Sequence, residues 1–72
     1  MNIQFTDDKG KTKFGTVEDK FLEQSFTYDT NKTMYLVSEY DSRKAYIVNP
    51  SNVNLIYASY VHMQQDAIKH NK

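Results

Sequence analysis

Residues 2–6 alternate, with Ile3 and Phe5 on one side and Asn2, Gln4 and Thr6 on the other, the period-2 mark of a half-buried strand. Asp7-Asp8-Lys9-Gly10 follows as a turn, and Thr12 to Val17 reads as a second strand bearing Phe14 and Val17 around Gly15. A glycine inside a strand marks a bulge or a close backbone approach. The two strands predict a hairpin. From Glu18 to Gln24 the alternation stops, because Phe21 and Leu22 sit together among Glu18, Asp19, Lys20 and Glu23; this predicts a short helix or loop. Phe26 and Tyr28 alternate again as a short third strand, and Asp29-Thr30-Asn31-Lys32 supplies turn residues.

The clearest pattern is the β-branched and aromatic run Thr33 to Tyr40, which ends at Asp41-Ser42-Arg43-Lys44 and is followed by a second such run from Ala45 to Asn49. It predicts a hairpin. If Asp41 closes on Lys44, Tyr40 faces Ala45, Ser38 faces Ile47 and Val37 faces Val48. One face then carries Met34, Leu36, Tyr40, Ala45 and Ile47; the other carries Tyr35, Val37, Tyr46 and Val48, with Glu39 at its rim. Both are apolar, whereas an antiparallel sheet in a small monomer shows one face to water. The second face needs a cover, either the C-terminal segment or another chain.

Pro50 ends the strand, since it cannot donate to a ladder. Beyond it, Val53, Leu55 and Tyr57 fit a fifth short strand, while Val53, Ile56, Tyr57, Tyr60, Met63, Gln64 and Ala67 fit a helical stripe. The composition of Met63 to Lys69 and the basic end favour a strand through Tyr57 and a helix from Ala58 to His70. Ser51 as N-cap of one longer helix is the alternative.

These elements predict one α+β domain over residues 1–72: four or five antiparallel strands in a curled sheet or SH3-like partly open barrel, with a C-terminal helix against it. The predicted core comprises Ile3, Phe5, Phe14, Val17, Met34, Leu36, Ile47, Leu55 and Val61. With 72 residues there is one small core, and such chains usually need a further source of stability. The sequence has no Cys, which removes disulfides and thiolate metal sites and leaves oligomerisation, a partner or close packing. A homodimer is expected. No apolar leader or membrane-length run is visible, so the expected setting is the cytoplasm, with no membrane contact.

Nine basic and nine acidic residues cancel, which argues against a general polyanion-binding surface. The charge is unevenly placed: from Ala45 through Gln65 there is no Asp, Glu, Lys or Arg. Depletion of charge is the compositional mark of an interface core. Two readings follow. Either this stretch is the domain's own core, or Tyr35, Tyr46, Val48, Ile56, Tyr57, Tyr60 and Met63 form a dimer or partner surface; the two are compatible. On the second reading, the charged turns holding Asp7, Asp8, Arg43 and Lys44 meet the target.

Sites for chemistry are sparse. Gly10-Lys11-Thr12 lacks the glycine five places earlier that a phosphate-binding loop needs, having Phe5 there. Lys9 interrupts any calcium-loop pattern in Asp7-Asp8-Lys9-Gly10. His62, Asp66 and His70 share a helical face at metal-ligand spacing, a spacing that a solvated face also produces. Ser59 with His62 and Asp66 has the residue types of a nucleophilic site but no oxyanion hole to go with them. No catalytic, metal or cofactor-binding residue is assigned, and no enzyme activity or cofactor is expected. The alternative to protein binding is a nucleic-acid-binding small β-barrel, with Tyr28, Tyr35, Tyr40 and Tyr46 as stacking platforms beside Lys32, Arg43 and Lys44. Against it stands the preference of Tyr for ordinary strands.

Among basic residues Arg43 is the one Arg, and Asn and Tyr are plentiful, the usage of an AT-rich genome. In size and in this composition the chain resembles the small orphan proteins of phages that infect low-GC bacteria. Several of these inhibit a host replication, transcription or defence protein; the sliding-clamp inhibitor of a staphylococcal phage is an example. The resemblance implies an inhibitor acting in the host cytoplasm by binding another protein.

Overall fold

The first hairpin forms as the alternation predicts, and its turn is organised by one side chain. β1 (Asn2–Thr6) turns into β2 (Thr12–Gln24) through Asp7, whose Oδ1 accepts from the backbone N–H of Lys9 at 2.9 Å and of Lys11 at 2.8 Å. Gly10 takes a φ of 78° there, a region open to glycine because it has no Cβ. The structure, a computed structural model, describes residues 1–24 and 31–71, with only the backbone of Glu23, Gln24 and Asn31. The short strand expected over Phe26 and Tyr28 lies outside the described residues, as do Asp29 and Thr30 of the expected turn; Asn31 and Lys32 belong to β3 (Asn31–Glu39).

Residues 18–24 continue β2, where a helix or loop was expected. Val17 pairs with Val37 and Asp19 with Leu36, leaving Glu18 as an extra residue. Such a bulge displaces the alternation by one, which hides the strand from a period-2 reading and sets Phe21 and Leu22 on opposite faces. Gly15 answers a close approach: a Cβ there would stand 2.5 Å from the Ser38 carbonyl oxygen. β4 (Ala45–Val48) pairs with β3 as expected, but Ser38 faces Ala45, Leu36 faces Ile47 and Tyr35 faces Val48, two residues away from the predicted register. The cause is Tyr40, whose N–H donates to the Phe14 carbonyl at 2.7 Å while Glu39 closes the hairpin on the Lys44 carbonyl. An even shift keeps every side chain on its expected face.

The sheet runs β4-β3-β2-β1-β5, with β5 at Val53–Tyr57. Its two edge strands are joined by Asn49 and a 3-10 turn at Pro50–Asn52, a link that reaches about 15 Å at most. Four strand spacings across a flat sheet amount to about 19 Å, so the sheet must curl. It does: the Phe5 and Tyr46 rings stand 5.8 Å apart although three strand spacings separate them. No ladder joins β4 to β5, so the result is an SH3-like barrel left open along that seam. The concave face buries Ile3, Phe5, Val37 and Val48, with Val17, Tyr35, Tyr46 and Val53 against them.

On the convex side lies α1 (Tyr60–His70), begun by Ser59, whose hydroxyl accepts from the His62 N–H. Ser51 belongs to the 3-10 turn and starts no longer helix. Met63 and Ala67 of α1 bury Phe14, joined by Tyr40 and Tyr57. Of the predicted core, Ile3, Phe5 and Phe14 are buried and Val17, Met34 and Leu36 are half-buried. Ile47, Leu55 and Val61 are exposed, at 56%, 49% and 54%. For Ile47 and Leu55 the curl decides this: it closes over the Tyr35–Val37 face, and the face carrying Leu36 and Ile47 becomes the convex outside; Val61 lies on α1, which turns Met63 and Ala67 to the sheet instead. Beyond Val17, β2 has only β3 as a ladder partner, so the pair continues as a two-stranded arm with Phe21 and Leu22 exposed. Among the described residues no helix is long and apolar enough to cross a membrane.

Candidate interaction surfaces

Antiparallel pairing carries the Asp7–Lys11 turn and the Asp41–Lys44 turn to the same end of the sheet. A polar cluster ties them together there. Lys13 Nζ lies 3.4 Å from Glu39 Oε2, the Tyr46 hydroxyl donates to Glu39 Oε1 at 3.2 Å, and Lys13 stands 6.0 Å from the Tyr46 ring centre. The charge of Glu39 raises the Lys13 ammonium pKa; partial burial, then Glu39, raises that of the Tyr46 phenol. Asp7 is held below 3.8 chiefly by the Lys11 N–H and is committed to the turn. Asp8, Arg43 and Lys44 are exposed, so three of the four predicted contact residues present their charge to solvent at one end. Asp7 and Asp8 also line a gap of about 350 Å³ beside Ala45–Val48 of β4.

The structure divides the predicted apolar surface. Val48 and Met63 are 4% and 0% exposed; packed inside this chain, they offer no area to a partner. Tyr35 and Tyr46 are half-buried on the concave face. Tyr57 is fixed by its own polar contacts, accepting from Gln4 Nε2 at 3.2 Å and donating to Asp66 Oδ2 at 2.9 Å, and burial raises its phenol pKa. Ile56 and Tyr60 are exposed, at 66% and 49%. Ile56 shares a groove of about 380 Å³ with Tyr35, Pro50, Val53, Asn54 and Leu55.

Leu55 was missed as a surface residue because period-2 alternation assigned it to the core. The signal for it was present: an uncharged strand following the proline that closes the preceding strand is a candidate edge. The four tyrosines proposed as a stacking platform are not gathered on one free face. Tyr40 packs on the helix side, with its ring 6.0 Å from that of Tyr60, Tyr35 and Tyr46 face the concave side, and Tyr28 is outside the described residues. Ser59 spends its hydroxyl on the helix cap, Asp66 accepts from Tyr57, and His70 packs edge-on to Phe14 at 5.5 Å. Among the described residues no three His, Asp or Glu side chains converge on a common point. Compared with family models, curated proteins and solved structures, the chain matches none.

Proposed function

We propose that this chain is a non-enzymatic protein-binding module that acts as a homodimer and meets its target through the end bearing Asp8, Arg43 and Lys44. The observation that carries the reading is the balance of apolar residues. Among the described residues seven hydrophobic side chains are buried, while nine large ones are exposed, including Phe21, Leu22, Leu55 and Ile56. Of these, Leu55 and Ile56 adjoin Tyr35, Pro50 and Val53 in one groove, and contiguous apolar surface, unlike scattered exposed residues, is the mark of a protein contact. In size and composition the chain is similar to small phage inhibitors of host proteins, and inhibition of a host replication, transcription or defence protein is the form we give this reading.

Affinity capture from a low-GC bacterial lysate tests it, with half of the lysate nuclease-treated and the triple charge reversal Asp8→Lys, Arg43→Glu, Lys44→Glu run in parallel. The reading expects one protein captured in both halves and lost with the reversed charges. Capture that disappears with nuclease would favour nucleic-acid binding instead, and capture indifferent to charge reversal would remove the charged end as the contact.

A further inference from the structure

The last turn of α1 lies at the same end of the sheet as the two charged turns. His70 and Asn71 stand with Lys11, Thr12, Phe14 and Tyr40 around a groove of about 410 Å³, inside the range of roughly 300–1,000 Å³ that ligand pockets occupy. Three segments distant in sequence thus build one concave site. Its floor is apolar: Phe14 and Ala67 are buried, and the His70 ring meets Phe14 edge-on.

The charge around this groove is positive on balance. Residues 7–13, 39–44 and 67–71 hold Lys9, Lys11, Lys13, Arg43, Lys44 and Lys69 against the carboxylates of Asp7, Asp8, Glu39 and Asp41. Two of these carboxylates are already engaged. Asp7 Oδ1 accepts from its own turn, and Glu39, the one acid that borders the groove, pairs with Lys13 and accepts from Tyr46. Lys11 is exposed and has no carboxylate within ion-pair distance among the described residues. The partial negative charge of a helix C-terminus is offset here, because the Asn71 N–H donates to the Ala67 and Lys69 carbonyls, and Lys69 and His70 stand in the same turn.

We propose that this groove takes an acidic side chain of the target, a Glu whose carboxylate meets the Lys11 ammonium and whose methylenes lie on Phe14 and Ala67. Further donors for the carboxylate are at hand in the Thr12 hydroxyl, the Asn71 amide and the His70 ring, and a hydrogen bond between charged partners is the stronger kind. The floor gives Glu its advantage over a phosphate, which has no carbon to lay on it. The proposal rests on the reading of the chain as a protein-binding module and names the chemistry of the partner it meets.

Fluorescence anisotropy with labelled probes tests it: a short peptide of alternating Glu and Ser, its counterpart of Lys and Ser, and a single-stranded oligonucleotide. The unmodified chain should bind the Glu peptide and not the Lys peptide, with affinity falling at least roughly tenfold as NaCl rises from about 0.05 to about 0.5 M. Lys11→Glu should weaken binding at least roughly tenfold. Lys20→Glu makes the same change of net charge on the arm, where the ammonium stands over Tyr35, and should stay within about twofold. Equal losses in the two variants, equal binding of the Lys peptide, or no binding of the Glu peptide would overturn the proposal. A lysate target that is still captured, and lost on reversal of Asp8, Arg43 and Lys44, would leave the binding reading standing after such a failure. Glu-peptide binding that depends on Lys11, with no target captured, would do the reverse. Oligonucleotide binding in place of Glu-peptide binding would overturn both.

Discussion

The concave face of the sheet and the β5 edge are made of the same kinds of residue. Ile3 and Phe5 are wholly buried in one, while Ile56, the ladder neighbour of Ile3, and the adjacent Leu55 stand open to solvent in the other. Residue type does not separate them; position relative to the curl does. The short link from β4 to β5 folds the sheet over Ile3, Phe5, Val37 and Val48, and the outermost strand keeps its apolar side chains at the rim. In a domain this small, covering one apolar surface leaves too little chain to cover the next.

Substitutions sharpen the contrast. Phe5→Ala should cost about 3–5 kcal/mol in urea denaturation, from lost burial and the cavity left behind, while Ile56→Ala should stay within about 0.5 kcal/mol if measured at concentrations that keep the chain monomeric. Similar losses at both positions would erase the distinction. Gly15→Ala should cost about 1–3 kcal/mol through overpacking, because the new methyl meets the Ser38 carbonyl oxygen and Val37 Cγ1 at 2.5 and 2.7 Å; a neutral result would mean that β2 and β3 lie farther apart at that point. Ser59→Ala should remove about 1 kcal/mol with the helix cap, loosening the cover over Phe14 without touching the concave cluster, as thermal melting would register.

The smallest effect concerns pH. The Asp7 carboxyl is held below 3.8 in the folded chain, so its stabilisation is complete above the unfolded value and is lost as pH falls through the lower folded one. Asp7→Asn keeps an acceptor oxygen in the turn but cannot titrate, and the acid limb of its stability profile should be flatter than that of the unmodified protein. Identical acid limbs would show that the turn does not depend on the ionised carboxylate.

How far these surfaces were legible in the sequence depends on what local pattern can carry. Alternation and turn residues were enough for the β1–β2 and β3–β4 hairpins, for β5 and for a helix starting near Ser59. They failed over Glu18–Gln24, because one bulged residue breaks the period that identifies a strand. They placed the β3–β4 register two residues away, because the Tyr40 N–H goes to Phe14, which is distant in sequence. The choice between two apolar faces was beyond them: Met34, Leu36 and Ile47 look as buriable as Tyr35, Val37 and Val48, and only the direction of curl decides. The missing charge between Ala45 and Gln65 was legible, but it covers two situations that sequence alone does not separate, core at Val48 and Met63 and open edge at Leu55 and Ile56.

The central claim is that the curl covers the concave cluster and leaves the β5 edge open, and hydrogen–deuterium exchange of the native chain tests it most directly. The account predicts that the amides of Asn2–Thr6, in a strand paired on both sides, exchange more slowly than those of Val53–Tyr57, in a strand paired on one. Equal protection of the two strands, or stronger protection of β5, would contradict it.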